Sequence, residues 1–237
     1  MTNLSEWVKS FNHPFREELD TQFHLAPLFD YSKVRIKQEF IQLAAEFWDP
    51  SRHVFRFNNS EMCPTMEEFG AILGRSDFNY VLLPSTAQAK AEDLVPIFGI
   101  SLRIAHDWFS NSQIDMQSVI SHFHPSPAAT VKNQTQYQLN AACLCILAEY
   151  LFTDVPGFMD ATLLRFLPVL RVQNPCMMIL AGTLNALSKF VRGEVPFVGG
   201  SPLLLQVGSP LLLMVRTHVW RMRTHVVAYA RNTNAYA

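Results

Sequence analysis

A chain of 237 residues, 49% hydrophobic and 16% charged, carries enough apolar side chain for one substantial core or two small ones, which excludes a disordered segment. Its formal net charge of −1 is unevenly shared: Arg216, Arg221, Arg223 and Arg231 stand in residues 208–237 without an acid, and removing those four charges leaves the body at about −5. A body of that sign argues against a phosphate-binding face, and four cysteines without a secretory leader read as reduced thiols of a cytosolic or nuclear protein.

Asn12-His13-Pro14 opens a first helix, with Phe15, Leu19 and Phe23 at spacings of four. Ala26-Pro27 breaks it. From Ser32 to Trp48 the stripe Ile36, Phe40, Leu43 and Phe47, widened by Ala44 and Trp48, predicts a longer amphipathic helix with Lys33, Lys37 and Glu46 on its wet face. Asp49-Pro50 closes it, because proline bars the residue before it from the α region and has no amide to give. His53 to Phe57 then alternates, and Asn58-Asn59 offers left-handed turn chemistry, so one small β-hairpin is expected near residues 53–62. After Pro64, Thr65 and Glu68 make a T-x-x-E capping box for a helix whose stripe is Met66, Phe69, Ile72 and Leu73 and whose stop is Gly74. Glu61, Glu67 and Glu68 have the residue type of a metal or acid/base cluster. Capping and a solvated face explain them more simply, since no other titratable group converges on them in sequence.

Phe78 to Pro84 reads as an extended connector, and a helical segment from about Ser85 holds Leu94, Ile97 and Phe98 around Pro96, which demands a kink or a break. Ser101–Phe109 and Ser112–Phe123 read as two short helices, the second opened by Ser112-x-x-Asp115, with His122, His124, Pro125 and Pro127 ending it in a loop. Asn133–Phe152 is the strongest candidate for a central buried helix, because Tyr137, Ala141, Leu144, Ala148 and Leu151 line one face while Leu139, Cys143, Ile146 and Tyr150 fill others. Pro156-Gly157 turns the chain into a helix from about Asp160 to Val172, with Leu163, Leu167 and Leu170 inward. Asn174-Pro175 starts a further helix to about Val191, stopped at Gly193, and Gly199-Gly200-Ser201-Pro202 precedes a last one at Leu203–Val207.

Beyond that the pattern changes. GSPLLLQV at Gly200–Val207 recurs as GSPLLLMV at Gly208–Val215, followed by the seven-residue units RTHVWRM, RTHVVAY and ARNTNAY. Units so short and few build no stacked solenoid. They divide the chain into a helical domain at 1–207 and an aberrant repetitive basic tail at 208–237, of the kind left by repeat slippage in DNA or by a gene-model artefact. The longest uncharged stretch, Val195–Val215, holds three prolines and three glycines, which argues against a membrane span.

No catalytic or cofactor-binding constellation is legible. His122-x-His124 and Cys143-x-Cys145 have zinc-ligand types, but residues two apart on a helix diverge by about 200°. His106-Asp107 diverge likewise, and G-x-S-x-G, P-loop and H-E-x-x-H motifs are missing. The expectation is no cofactor, no metal and no enzymatic activity.

Glu46-Phe47-Trp48-Asp49-Pro50, the F-R-F at Phe55–Phe57, E-M-C-P-T-M-E-E-F at Glu61–Phe69 and Leu73-Gly74 together resemble the signature of the plant mobile domain group. These are transposon-related plant proteins that include a closely similar plant domain of unknown function. ILAGTLNAL at Ile179–Leu187 and FVGGSPLLLQV at Phe197–Val207 extend the resemblance over most of the chain to about Val207. Its structural signature here is Trp48, Asp49, Pro50, Phe55, Phe57, Glu61, Pro64, Thr65, Glu68 and Gly74. In the family the GSPLLLQV string runs on into another helix, so the resemblance implies a domain truncated at its C-terminal side. It also implies a mainly α, non-enzymatic nuclear domain that binds a protein partner and is linked to transposon silencing, genome maintenance and meristem development. Some family members work with a phosphatase-like partner or carry that domain fused. The label "aminotransferase-like" attached to such proteins finds no match in the chemistry: none of Lys9, Lys33, Lys37, Lys90, Lys132 and Lys189 sits in a Gly/Ser-rich loop after a strand. The alternatives left open are a degenerate transposon fragment without activity, an enzyme whose site joins His53 or His106 to Glu61, and nucleic-acid binding through the basic tail. Oligomeric state is not legible.

Overall fold

A computed structural model describes residues 4–31, 34, 36–57, 60–78, 88–124 and 132–207. The repetitive tail, the Asn58-Asn59 turn, most of the 78–84 connector, and Pro125 and Pro127 lie outside the described residues. In chain order the helices are α1 Leu4–Ser10, α2 His13–Phe23, α3 Ala26–Tyr31, α4 Gln38–Ala45, α5 Met66–Ile72, α6 Leu94–Phe98, α7 Leu102–Trp108, α8 Met116–Phe123, α9 Lys132–Tyr150, α10 Leu167–Leu170, α11 Cys176–Val191 and α12 Pro202–Val207. The strands are β1 Trp48–Asp49, β2 Val54–Phe57, β3 Ser60–Met62, β4 Phe109–Ser110, β5 Gln113–Asp115 and β6 Phe158–Asp160. The protein is mainly α.

The larger core is built around α9. Every residue from Leu139 to Ala148 is buried, and α1, α2, α6, α8, α10 and β6 pack against the helix. A helix apolar on all sides needs neighbours on all sides, and these supply them. A smaller core of Ile41, Ala44, Ala45, Trp48, Phe55, Phe57, Leu187, Val198 and Leu205 lies where the first sheet meets α4, α11 and α12. α12 joins the two, with Leu203 and Leu204 in the larger core and Leu205 in the smaller.

Four expectations are corrected. The Ser32–Trp48 helix is only Gln38–Ala45, and Trp48-Asp49 forms β1, paired antiparallel with Phe55 and Val54. Burial of Trp48 against Phe55, with its indole Nε1 donating to Ser188 Oγ at 3.0 Å, outweighs continuation of the helical stripe. The single hairpin becomes two three-stranded sheets, β1-β2-β3 and β4-β5-β6. The second arises because Asn111 and Ser112 both adopt positive φ, 51° and 63°, between the paired residues Ser110 and Gln113. Two left-handed residues there make the tight hairpin turn that suits twisted strands. The N-cap of α8 is therefore Asp115 rather than Ser112, its carboxylate accepting from the amides of Gln117 (3.1 Å) and Ser118 (3.2 Å). β6 then joins from a distant part of the chain, a pairing no local pattern reveals. Finally, the Asp160–Val172 helix is a 3₁₀ turn at Ala161–Arg165 followed by the short α10, with Pro168 at its start.

The last helix is held by a dense clamp. Gly200 exchanges two 2.8 Å backbone bonds with Thr153, Ser201 N donates to Thr183 Oγ1 at 2.9 Å, and Ser201 Oγ donates to the Tyr150 carbonyl at 2.7 Å. Gly200 has φ +73°, and a Cβ there would lie 2.5 Å from Thr183 Cα. No helix among the described residues is long and apolar enough to cross a membrane.

Gly200→Ala is expected to destabilise the domain by about 3 kcal/mol, since left-handed strain and a backbone clash add. Gly193→Ala, at φ +73° but facing open space, should cost only about 1 kcal/mol. Urea unfolding of the two variants beside the parent chain checks the contrast.

Candidate functional site

The signature residues come together as a structural unit. Trp48, Phe55, Phe57 and Pro64 are buried. The Asp49 carboxylate accepts from Ser51 N (2.9 Å), Ser51 Oγ (2.6 Å) and Arg52 N (3.3 Å), tying the turn that Pro50 opens. Those bonds to Ser51, more than the nearby Arg56, hold its pKa below the usual carboxylate range. Glu61 is exposed and pairs with Arg52 at 2.9 Å and Arg56 at 3.5 Å. Thr65 and Glu68 form the reciprocal capping box, at 3.2 and 2.9 Å. At the other end Arg75 N donates to Gly70 O (2.7 Å) and Gly74 N to Ala71 O (3.3 Å) around Gly74 at φ +65°, a Schellman stop.

Glu61, Glu67 and Glu68 therefore do not converge on one ion. His53 stacks on Trp48 with ring centroids 5.9 Å apart, and His106 is exposed on α7. Neither is brought to Glu61. Cys143 and Cys145 are buried in α9, and burial pushes both thiols far above their ordinary pKa. His122 packs its ring edge-on to Trp108 at 5.3 Å. Among the described residues no group of three or more His, Cys, Asp or Glu is arranged to hold a metal ion.

Two clefts lie elsewhere. The larger, of about 690 Å³, runs between α2 and α9 over Pro14, Phe15 and Leu139, with Asn12, Glu18, Gln22, Gln136 and Gln138 on its walls. Its amides are wired together. Arg171 donates to Gln22 Oε1 (3.1 Å), Gln136 donates to Gln22 Oε1 and to Asn140 Oδ1 (both 3.0 Å), and Asn140 donates to the Ile97 carbonyl (2.9 Å). This chain locks the amides against α6 and sets which atoms remain for a ligand. The smaller cleft, of about 390 Å³, is bounded by Leu4 and Ser5 of α1, Met116, Gln117 and Ile120 of α8, Glu149 and Tyr150 of α9, and Gly157. Burial raises the pKa of the Glu149 carboxyl, and burial together with that carboxyl pushes Tyr150 up to about 12.

Neither cleft was singled out by sequence patterning, although signals exist. Asn133 to Asn140 carries five amides in eight residues, at the start of an otherwise apolar helix. Glu149 is the lone acid of α9. Both signals are compositional, and only packing shows that they open onto clefts.

The described residues thus form a mainly helical domain with two small sheets, and the α2–α9 groove and the α1–α8–α9 cleft lie on it. A family model described as "Domain of unknown function (DUF7745)" matches residues 4–202, and the chain belongs to that family. No curated protein and no solved structure matches it.

Glu149 yields a pH test. Burial favours its protonated form, so between the ordinary carboxyl value and the raised folded value the native chain holds a proton that the unfolded chain has lost. Stability from this group falls as pH rises through that window. Glu149→Gln should therefore stabilise the protein at pH 7 by roughly 0.5–1 kcal/mol, with the gain vanishing below the ordinary carboxyl range. Thermal melts of both chains from pH 3 to 8 measure it.

Proposed function

We propose that this domain acts by binding a protein partner, without catalysis, and that the amide-walled groove between α2 and α9 is the partner's seat. The observation that carries this reading is the pairing of a firm apolar floor, Phe15 and Leu139, with the hydrogen-bonded Gln22–Gln136 pair on one wall and Gln138 beside it. The Gln22 and Gln136 amides are engaged with each other and fix the wall, whereas the Gln138 carboxamide can both donate and accept, which matches the N–H and C=O of a polypeptide backbone. A groove of this volume falls within the range of ligand-binding sites.

The resemblance to the plant mobile domain group supports a more specific setting: a nuclear protein of transposon-derived ancestry, linked to transposon silencing, genome maintenance and meristem development, with a phosphatase-like protein as its partner. The satisfied caps and buried signature positions favour a working domain over a degenerate copy.

Gln138→Arg would place a long cation in the groove without touching the Gln22–Gln136–Asn140 chain. Affinity capture from plant nuclear extract with the full chain is expected to retain a stoichiometric partner. Gln138→Arg should lose it and Val191→Glu, on the exposed side of α11, should keep it. A partner that binds all three equally would sink the assignment of the groove.

A further inference from the structure

The smaller cleft holds the single acid of α9, Glu149. Glu149 lies in the last turn of α9, where the negative end of the helix dipole disfavours an acid. It is also partly buried, which disfavours its charged form. Among the described residues its side chain has no hydrogen-bond or ion-pair partner. Burial raises its pKa, and among the described residues no cation is paired with it. A carboxyl disfavoured twice over, and without a partner among the described residues, is a candidate for a role outside the fold.

The surroundings define the missing charge. Leu4, Met116 and Ile120 supply an apolar wall beside the carboxyl. Gln117 lends its amide nitrogen to Ser121 Oγ at 3.0 Å, leaving its carbonyl oxygen as an acceptor. Tyr150 adds a phenolic oxygen that stays protonated but can also accept. Acceptors from three separate side chains match the three donors of a compact ammonium, whereas a guanidinium is best met by a bidentate pair on one carboxylate. An alkyl stem on that group would lie along the apolar wall.

We propose that the cleft between α1, α8 and the end of α9 is a receptor for a primary alkylammonium group, with the Glu149 carboxylate as its counter-ion. The cation restores neutrality at the buried carboxylate and sits favourably at the helix C-terminus. This is independent of the groove between α2 and α9.

The test is titration of the ¹⁵N-labelled full chain with n-butylammonium chloride at pH 7, followed through the Gln117 side-chain amide and the Tyr150 backbone amide. Neutral n-butanol serves as the isosteric control. Saturating shifts with the ammonium and none with the alcohol are expected. Glu149→Gln should weaken the interaction at least about tenfold, the size of a charge-assisted hydrogen bond. Glu18→Gln, in the other cleft, should leave it unchanged. A blocked Gly-Lys-Gly peptide distinguishes the source: tighter binding than butylammonium identifies a lysine side chain of a polypeptide, equal binding a free amine. Absence of saturation with the ammonium, equal shifts with the alcohol, or undiminished binding by a Glu149→Gln chain with parental circular dichroism would overturn the proposal.

Discussion

The constraint on which the rest depends is the burial of α9 on every side. From Leu139 to Ala148 the helix offers water no face, so it has to be wrapped, and the wrapping dictates the positions of α1, α2, α6, α8 and α10. Burying a helix this way also fixes what its polar residues can be. Asn140 is tolerated because it bonds the Ile97 carbonyl and accepts from Gln136. The Glu149 side chain finds no such accommodation among the described residues. The same packing that stabilises the domain thereby creates its clefts, which open at the two ends of α9, where its wrapping thins.

The residues that look most like a motif serve architecture. Trp48 anchors the first sheet to α11 through Ser188, Asp49 ties a turn, Thr65 and Glu68 close one end of α5, and Gly74 the other. Acidic residues in a tight string invite a metal or an acid/base reading, yet Asp49, Glu61 and Glu68 each already hold a backbone amide, a hydroxyl or an arginine. The residues that face the clefts, in contrast, come from segments far apart in sequence, as with Gln22 and Gln136 or Met116 and Glu149. That asymmetry is general physics: capping is a matter of three or four residues, whereas a cleft exists only between elements.

Legibility followed the same division. The central helix, the Asn12 cap of α2, the capping box and the Asn174 cap of α11 were readable because a local pattern dictates each. Asn12 Oδ1 accepts from Phe15 N at 3.0 Å and Asn174 Oδ1 from Cys176 N at 3.0 Å, as their positions before a proline-led helix start predict. The shortened α4, the second sheet and both clefts were not readable, because long-range strand pairing and burial of Trp48 override local preference.

The repeated string shows the boundary most clearly. By itself the sequence determined that a helix follows Gly-Ser-Pro, and it offered that helix twice, at Gly200 and Gly208, with no local reason to prefer either. Tertiary structure favours the first at this place through three residues, two before the copy and one within it. A shift of eight residues would put Gln206 where Val198 is buried. It would put Val207 where Gly199 stands, and a Cβ at 199 would meet the Thr153 carbonyl oxygen at 2.6 Å. It would also replace Gln206, whose Oε1 accepts from Lys37 N at 2.7 Å, with a methionine that has no oxygen to offer. The first copy fits the surface formed by α4, α9 and α11 because of Val198 and Gly199 before it and Gln206, the one position within it that differs from the second copy.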